Sequence, residues 1–221
     1  MRAAFRASFP VLLGYLSLGT AFGLVLVDSG LPWWLSPLMA TFVYAGAGQF
    51  MAVGLITAGS GALEIGLLTL LINARHAVYG LSVLDKFKGT GARKPYLVFG
   101  LTDETFALVS TLLPPEGVGA GDFYASLTAL DQLYWISGCT AGALIGKALP
   151  FDSRGLDFSL TALFVVLLIE QIRSLRRIEP YAIALAASLL AYFLGAPRDF
   201  YLISMLATLG GLALFGGRLK A

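Results

Sequence analysis

Apolar residues are grouped into eight long stretches along this chain, and short polar stretches separate them. Residues 7–27 carry no charge, and residues 29–63 carry none either. A helix of about 20 apolar residues spans the hydrocarbon core of a bilayer, so both runs are long enough to cross it. The pattern predicts helical segments at 9–27, 33–58, 62–84, 96–113, 123–149, 158–173, 181–195 and 199–217.

The second of these segments is too long for one ordinary crossing. Its 26 residues would form a helix of about 39 Å, against a hydrocarbon core of about 30 Å. Two glycines in its middle, within Tyr44-Ala-Gly-Ala-Gly-Gln-Phe50, weaken the helix there. Two interpretations stay open. The segment is either a long tilted helix that uses glycine for close packing, or a helix broken at membrane depth whose backbone groups line a cavity.

Glycine recurs every four residues in two other segments. The fifth segment contains Gly138, Gly142 and Gly146, and the first contains Gly19 and Gly23. Small residues at this spacing let two helices approach closely in lipid. We therefore predict that these stripes are packing surfaces.

The first six segments resemble a weak internal repeat. Thr20-Ala-Phe-Gly-Leu-Val25 is similar to Thr105-Phe-Ala-Leu-Val109 when one gap is allowed. Transporters are often built from duplicated halves with the substrate site between them, although such similarity also arises by chance in apolar sequences. We predict one transmembrane transporter domain, 1–221, with a repeat of 9–84 and 96–173 and an additional helical pair at 181–217.

The distribution of positive charge bears on the topology. Eight full crossings would place seven loop or terminal Lys and Arg residues on each side. If segments two and five both return to their own side, the split becomes eleven against three, which satisfies the positive-inside rule. This arrangement predicts broken or re-entrant geometry in both segments, parallel repeats and cytoplasmic termini, while a mixed arrangement stays open. The three opposing residues are Lys147, Arg154 and Arg198.

Composition defines the class of protein. Hydrophobic residues make up 57% of the chain, charged residues 13%, and the mean hydropathy is +0.81, whereas soluble domains carry about 25% charged residues. The fold class is therefore an all-α polytopic integral membrane protein with seven to eight hydrophobic segments in the lipid bilayer. Phe9–Val27 is longer than a typical signal-peptide core, so we expect it to be a membrane segment.

Several kinds of site are excluded by residue counts. The chain has a single cysteine, Cys139, and a single histidine, His76, so cysteine clusters and multi-histidine metal sites are excluded. A net charge of +2 is too small for a nucleic-acid surface. We expect no metal, no cofactor and no nucleic-acid partner.

Three apolar segments nevertheless contain charged residues. Arg75 and His76 lie in the third segment, Asp103 and Glu104 in the fourth, and Asp131 in the fifth. A charge at bilayer depth costs at least ~2.5–3.5 kcal/mol, and such residues usually mark a substrate or ion pathway. This set of residues is typical of a transporter.

Two interpretations of these charges stay open. In the first, Arg75 pairs with Asp103 or Asp131 only to hold helices together. In the second, one arginine neutralises one or two carboxylates, and a carboxylate left without a cation exchanges a proton. The second interpretation predicts proton-coupling roles for Asp103, Glu104 and His76.

The same residues suit a zwitterionic ligand. Arg75, or the N-terminal end of a half-helix after Gly48, can receive a carboxylate, and Asp131 or Asp103 can receive an ammonium group. Apolar side chains nearby would receive a hydrophobic side chain. The predicted substrate-binding residues are Gln49, Asn73, Arg75, Tyr79, Asp131, Gly46, Gly48 and Phe50.

Three motifs resemble the AzlC family of bacterial inner-membrane proteins. They are Tyr-Ala-Gly-Ala-Gly-Gln-Phe at 44–50, Asn-Ala-Arg-His-x-x-Tyr-Gly at 73–80, and Leu-Thr-Asp-Glu-Thr-Phe-Ala at 101–107. The resemblance implies export of leucine, isoleucine and valine, and of methionine as a related substrate. It also implies a small companion subunit of the AzlD type, with about four hydrophobic segments, in a hetero-oligomer.

The predicted function is secondary active export of hydrophobic amino acids, driven by proton exchange. An ion channel or passive pore for a small solute is the alternative, although the chain shows no ring of like residues or filter sequence. An enzyme is not expected, because no serine in a convincing motif is placed to pair with His76.

Overall fold

The computed structural model describes residues 1–149, 165, 168, 169, 172, 178–193 and 200–215. Two compact units are present. The first comprises Met1–Ala58 and Thr69–Asp157, and the second comprises Gly59–Leu68 and Phe158–Ala221. The predicted sixth segment, 158–173, lies almost entirely outside the described residues, so the second half of the predicted repeat stays a prediction.

The described residues form helices and no strand, which confirms the all-α fold class. A short 3-10 turn at Gly91–Arg93 precedes the fifth helix. In chain order the helices are α1 (Arg2–Asp28), α2 (Leu35–Phe42), α3 (Gly46–Thr57), α4 (Ala62–Val83), α5 (Lys94–Phe99), α6 (Asp103–Thr111), α7 (Ala120–Ala148), α8 (Glu179–Phe193) and α9 (Phe200–Phe215).

One described helix, α1, has both the length and the composition to cross a membrane, with a mean hydropathy of 1.9. Shorter apolar helices are α3, α8 and residues Ile203–Leu212 of α9. In the second unit α8 and α9 pack together, and a Cβ atom on Gly211 would lie 2.7 Å from Ile183 Cγ2. The number of complete crossings stays a prediction.

The second predicted segment is broken, as one of the two interpretations predicted. Helix α2 ends at Phe42 and α3 begins at Gly46. Between them Tyr44 has a φ of 44°, a conformation that costs a bulky residue about 1–3 kcal/mol, and Ala45 is extended. Tyr44 is nevertheless buried. The surrounding structure therefore holds a strained turn in the interior.

The fifth predicted segment is continuous, so the expectation that it is broken or re-entrant is wrong. Helix α7 runs for 29 residues without interruption, because its glycines serve helix packing. The fourth segment is interrupted instead, at Gly100–Thr102, where α5 ends and α6 begins. Thr102 is extended and caps α6 by accepting a hydrogen bond from the backbone N–H of Thr105 at 3.3 Å.

Contacts along α7 show that α5 and α6 form a helical hairpin. Just before α5, Arg93 forms an ion pair with Asp122 near the start of α7 at 2.7 Å. At the interruption, a Cβ atom on Gly100 would meet the Thr128 side chain. The chain then turns back, because Leu112 O accepts a hydrogen bond from Tyr124 Oη at 3.2 Å. Both ends of this hairpin lie beside the N-terminal part of α7.

Helices α2 and α3 form a second hairpin that approaches α7 from its other end. Ser36 Oγ donates to Cys139 O at 2.9 Å, and Thr41 O accepts from Gln132 Nε2 at 3.1 Å, so α2 runs antiparallel to α7. Helix α3 then begins beside Trp135, and its Phe50 ring contacts Phe22 of α1 with 5.2 Å between the centroids. The two hairpin tips therefore meet near the middle of α7.

Helices α1 and α7 cross at their glycines, which confirms the predicted packing surfaces. A Cβ atom on Gly19 would lie 2.9 Å from Cys139 N, and one on Gly138 would lie 2.7 Å from Tyr15 O. Gly23 and Gly142 are packed in the same way against backbone atoms of the opposite helix. These two helices form the frame that supports the hairpin tips.

Candidate functional site

The two interrupted segments meet against the centres of α1 and α7, and we call this region the junction. It comprises Tyr44–Gln49 and Gly100–Thr105, with Tyr15, Asp131 and Trp135. Most of its side chains are buried, and Gln49 and Asp131 are fully enclosed. Non-helical backbone at membrane depth occurs in proteins where it is enclosed or lines a cavity.

The start of α3 presents unused hydrogen-bond donors to the junction. No side chain caps this helix. Among the described residues, no acceptor bonds the backbone N–H groups of Gly46, Ala47 or Gly48. Such N–H groups and the positive end of the helix dipole make an anion site. The helix begins at Gly46, so the predicted start after Gly48 is three residues too late.

Four buried side-chain atoms near this helix start have no hydrogen-bond partner among the described residues. They are Tyr44 Oη, Gln49 Nε2, Asn73 Oδ1 and Asp131 Oδ1. The other amide atom of Gln49, Oε1, accepts from Trp135 Nε1 at 2.8 Å and from Ala45 N at 3.3 Å, which fixes the amide beside the start of α3. Unpartnered buried polar groups are uncommon and costly. They suit a polar ligand that would satisfy them.

The start of α6 is acidic. Asp103 and Glu104 occupy its first turn, directly after the Thr102 cap. Carboxylates are favoured near a helix N-terminus by the helix dipole, by about 0.3–1 kcal/mol. The two half-helices thus bring groups of opposite electrostatic character to the junction. Helix α3 contributes free N–H donors, and α6 contributes carboxylates.

Arg75 is paired with Asp103. The distance between Arg75 Nη2 and Asp103 Oδ2 is 2.8 Å, and Tyr79 Oη donates to Asp103 Oδ1 at 2.7 Å. Both charged side chains keep more than a third of their surface accessible, 37% and 39%. Arg75 Nε is enclosed without a partner among the described residues. Of the two predicted partners of Arg75, the structure places Asp103 and not Asp131 beside it.

Asp131 and Glu104 have hydroxyl partners instead of a cation among the described residues. Asp131 Oδ2 accepts from Thr105 Oγ1 at 2.8 Å, and Glu104 Oε2 accepts from Tyr15 Oη at 2.7 Å. An uncompensated buried charge costs several kcal/mol. Asp131 and Glu104, unlike the paired Asp103, are therefore the carboxylates of the junction that have no compensating cation among the described residues.

The remaining predicted residues lie around the junction. A Cβ atom on Gly48 would lie 2.7 Å from Asn73 Nδ2, and one on Gly46 would lie 3.3 Å from Trp135 Cη2. Phe50 is buried against Phe22 and forms part of an apolar wall. The half-buried His76 ring lies 5.8 Å from the Tyr79 ring, and among the described residues it makes no hydrogen bond that would join it to the junction.

Several residues of the junction were not predicted as site residues, among them Tyr15, Thr102, Thr105 and Trp135. Tyr15 lies inside the apolar first segment, Thr102 and Thr105 flank the predicted Asp103 and Glu104, and Trp135 follows the predicted Asp131 by four residues. A phenol or indole group in an apolar helix usually finds a hydrogen-bond partner when it is buried. That rule would have pointed to Tyr15 and Trp135 without identifying their partners.

Several membrane and transport proteins are similar to this chain in sequence. A Helicobacter pylori protein described as an uncharacterized membrane protein is 38% identical over 98% of this chain and 97% of its own length. The Bacillus subtilis branched-chain amino acid transport protein AzlC is 36% identical over 96% of this chain and 84% of its own length. The Escherichia coli inner membrane protein YgaZ is 29% identical over 74% of this chain and 70% of its own length.

No solved structure matches the chain. A family model described as AzlC protein matches residues 10–149, the part of the chain that contains both hairpins and the junction. The relatives cover nearly the whole chain. The chain is therefore a membrane protein that belongs to the AzlC family.

Proposed function

We propose that the protein is a secondary active transporter that exports branched-chain and related hydrophobic amino acids: leucine, isoleucine, valine and methionine. The observation that carries this proposal is the junction, where an uncapped half-helix start and unpaired carboxylates meet inside the protein. The name of the Bacillus subtilis relative supports this substrate class. Transport, and not catalysis, is the activity we assign.

In this proposal the start of α3 holds the carboxylate of the amino acid. The free N–H groups of Gly46, Ala47 and Gly48 would donate to it, assisted by Gln49 Nε2. Discontinuous transporter helices bind substrate carboxylates in this way. Arg75 lies on the neighbouring α4 and supplies positive charge nearby.

The other two groups of the substrate have matching surroundings. Asp131 Oδ1 has no partner among the described residues and is available to an ammonium group. Phe50 and Phe22 are buried side by side, and the Phe22 ring stacks on Trp135 at 6.4 Å between the centroids. An apolar group of rings of this kind favours a branched aliphatic side chain over a polar one.

Export by proton exchange and a companion subunit complete the proposal. Glu104 and Asp131, which have no cation beside them among the described residues, support proton coupling. The subunit is an AzlD-type membrane protein with about four hydrophobic segments, as the family resemblance implies. Many apolar side chains on α1, including Phe9 and Leu13, are exposed, which leaves room for lipid or such a subunit.

We place the protein in the bacterial inner membrane, with several crossings and cytoplasmic termini. The name of the Escherichia coli relative supports the location. The interruption of the fourth segment also supports this topology. The fourth segment can enter the membrane and return to the side it came from, while the continuous fifth segment crosses. The connection 114–119 carries no Lys or Arg, so this exchange keeps the split of eleven against three.

Cysteine labelling tests this topology. Lys88→Cys and Glu116→Cys lie before and after the α5–α6 hairpin, and both should react with an impermeant maleimide from the cytoplasmic side only. Asp28→Cys, at the end of α1, should react from the other side. The native Cys139 is fully buried and adds little background. Labelling of Glu116→Cys from the same side as Asp28→Cys would show that the α5–α6 segment crosses.

Leucine flux tests the function. The chain and its companion subunit, reconstituted in proteoliposomes, should move radiolabelled leucine, and an imposed proton gradient should drive net flux. Flux that ignores the proton gradient and runs only down the leucine gradient would favour the passive pore. Absence of leucine, isoleucine, valine and methionine flux would refute the proposal.

A glycine substitution tests the carboxylate site. Gly48→Leu should reduce leucine transport roughly tenfold or more, because the new side chain would displace Asn73 and cover the start of α3. Gly54→Leu is the matched control on the same helix, where an added Cβ atom meets nothing within 4 Å. Equal transport by the two variants would contradict a substrate site at this helix start.

A further inference from the structure

A continuous chain of oxygen atoms joins Glu104 and Asp131, the two carboxylates of the junction that have no cation beside them among the described residues. It runs through three hydroxyl groups. One belongs to Tyr15 of α1, and the other two belong to Thr102 and Thr105 at the start of α6. In order, the atoms are Glu104 Oε2, Tyr15 Oη, Thr102 Oγ1, Thr105 Oγ1 and Asp131 Oδ2. The four separations in the same order are 2.7, 2.6, 3.1 and 2.8 Å. All four are within hydrogen-bond range.

Counting hydrogen atoms shows that this chain is one proton short when both carboxylates are ionised. The three hydroxyl groups supply three protons, and the four contacts need four. If Tyr15 donates to Glu104 and Thr105 donates to Asp131, at least one contact between the hydroxyl groups has no proton. Thr102 has one proton to donate, so either the Tyr15–Thr102 contact at 2.6 Å or the Thr102–Thr105 contact at 3.1 Å would be two oxygen atoms facing each other without a proton. One added proton completes the chain.

That proton can occupy either end. With Glu104 protonated, each group donates toward Asp131, which is ionised. With Asp131 protonated, each group donates toward Glu104. Thr102 Oγ1 also accepts from Thr105 N, which leaves it able to accept once more and donate once in either direction. The two arrangements therefore use the same heavy-atom positions.

We propose that Tyr15, Thr102 and Thr105 form a proton relay through which Glu104 and Asp131 share one proton. In one transfer the Glu104 O–H bond breaks and its proton passes to Tyr15. Tyr15 passes its own proton to Thr102, Thr102 to Thr105, and Thr105 to Asp131. Each hydroxyl oxygen loses one O–H bond and gains one, so the net change is one proton moved from Glu104 to Asp131.

The surroundings give this transfer a direction. Glu104 is half-buried, whereas Asp131 is fully buried. Glu104 can therefore exchange with the outside, and Asp131 belongs to the proposed substrate site. An arriving ammonium group would favour ionised Asp131 and drive the proton toward Glu104. This use of the relay rests on the function proposed above, whereas the shared proton does not.

Other titratable groups face the relay without belonging to it. Tyr44, in the interruption between α2 and α3, faces Asp131 and Thr105, and Tyr96 of α5 faces Asp131. Tyr79 of α4 and the Arg75–Asp103 ion pair lie on the Glu104 side. Tyr96 Oη donates to Gln132 Oε1 at 2.8 Å, away from the relay. Tyr96→Phe is therefore a matched control.

Infrared spectroscopy of the purified protein tests the shared proton directly. Near neutral pH, the difference between wild type and the Glu104→Gln/Asp131→Asn double variant should show one carboxylic acid and one carboxylate. Two carboxylates, or two carboxylic acids, would overturn the proposal. The measurement needs no transport, so it decides the shared proton even if leucine is not a substrate.

Transport measurements test the relay. Tyr15→Phe removes one hydroxyl group and keeps the ring that packs 5.3 Å from Trp135. It should reduce proton-driven leucine flux about a hundredfold, the scale on which positioned proton transfer contributes, and leave leucine–leucine exchange close to wild type. Thr105→Val should behave likewise, Thr105→Ser should retain flux, and Tyr96→Phe should match wild type. Full proton-driven flux in Tyr15→Phe would overturn the relay.

Discussion

Gly23→Val should leave little folded protein in the membrane. A Cβ atom at this position would overlap Cys139 O and Ala143 N of α7, and these are backbone atoms that cannot move aside as a side chain can. The two helices would have to separate along their crossing. Overpacking usually costs about 1–3 kcal/mol, and we expect more here because the backbones must part. Size-exclusion chromatography of the detergent-solubilised protein, with a thermal melt, measures the loss.

Gly14→Val is the matched control for this substitution. Gly14 lies on the same helix, and a Cβ atom there would meet nothing within 4 Å. The variant should therefore elute and melt like wild type. A normal melt for Gly23→Val would show that α1 and α7 do not cross as closely as the structure places them.

The positions of the helices could be predicted because apolar runs of membrane length leave few alternatives. The break in the second segment was also readable, since two glycines flank Ala47 in a run too long to be a single crossing. The glycine stripes of α1 and α7 were predictable from their four-residue spacing. These signals are local in sequence.

The break in the fourth segment had local signals that were given another meaning. Gly100 ends α5, and Thr102 caps α6 with two carboxylates in the first turn, a typical helix stop and start. Asp103 and Glu104 were interpreted only as charges inside a membrane crossing. Their position in the first turn of a helix was therefore missed. The wrong expectation that α7 is broken had another origin, because it came from the distribution of Lys and Arg between the two sides and not from its glycines, which were correctly predicted to pack against another helix.

The relay could not be predicted from sequence. Tyr15 meets Thr102 and Glu104 across 87 and 89 residues of chain. The crossing of α1 with α7 and the turn of the α5–α6 hairpin bring them together, and neither the crossing angle nor the hairpin depth is encoded in a local pattern. The sequence thus identified most of the chemistry and little of its connectivity.

The Arg75–Asp103 pair decides whether the central arginine is structural or functional. Arg75→Gln alone leaves Asp103 with only the Tyr79 hydroxyl group among the described residues, and an uncompensated charge at membrane depth costs at least ~2.5 kcal/mol. Leucine transport should fall about a hundredfold, since misplacing a site by 1 Å can cost that much, and less protein should accumulate. Proteoliposome flux and membrane yield measure the two effects separately.

The double variant Arg75→Gln/Asp103→Asn separates the two interpretations of this pair. Without either charge the burial cost disappears, and the carboxamide oxygen introduced by Asp103→Asn can still accept from Tyr79, so membrane yield should return to wild type. Transport should stay low if Arg75 supplies positive charge for the substrate carboxylate. The matched control is Arg93→Gln/Asp122→Asn, which removes an ion pair of similar length, 2.7 Å, away from the junction and should leave flux unchanged. Recovery of both yield and flux in the Arg75 double variant would make the pair a structural contact and remove Arg75 from the substrate site.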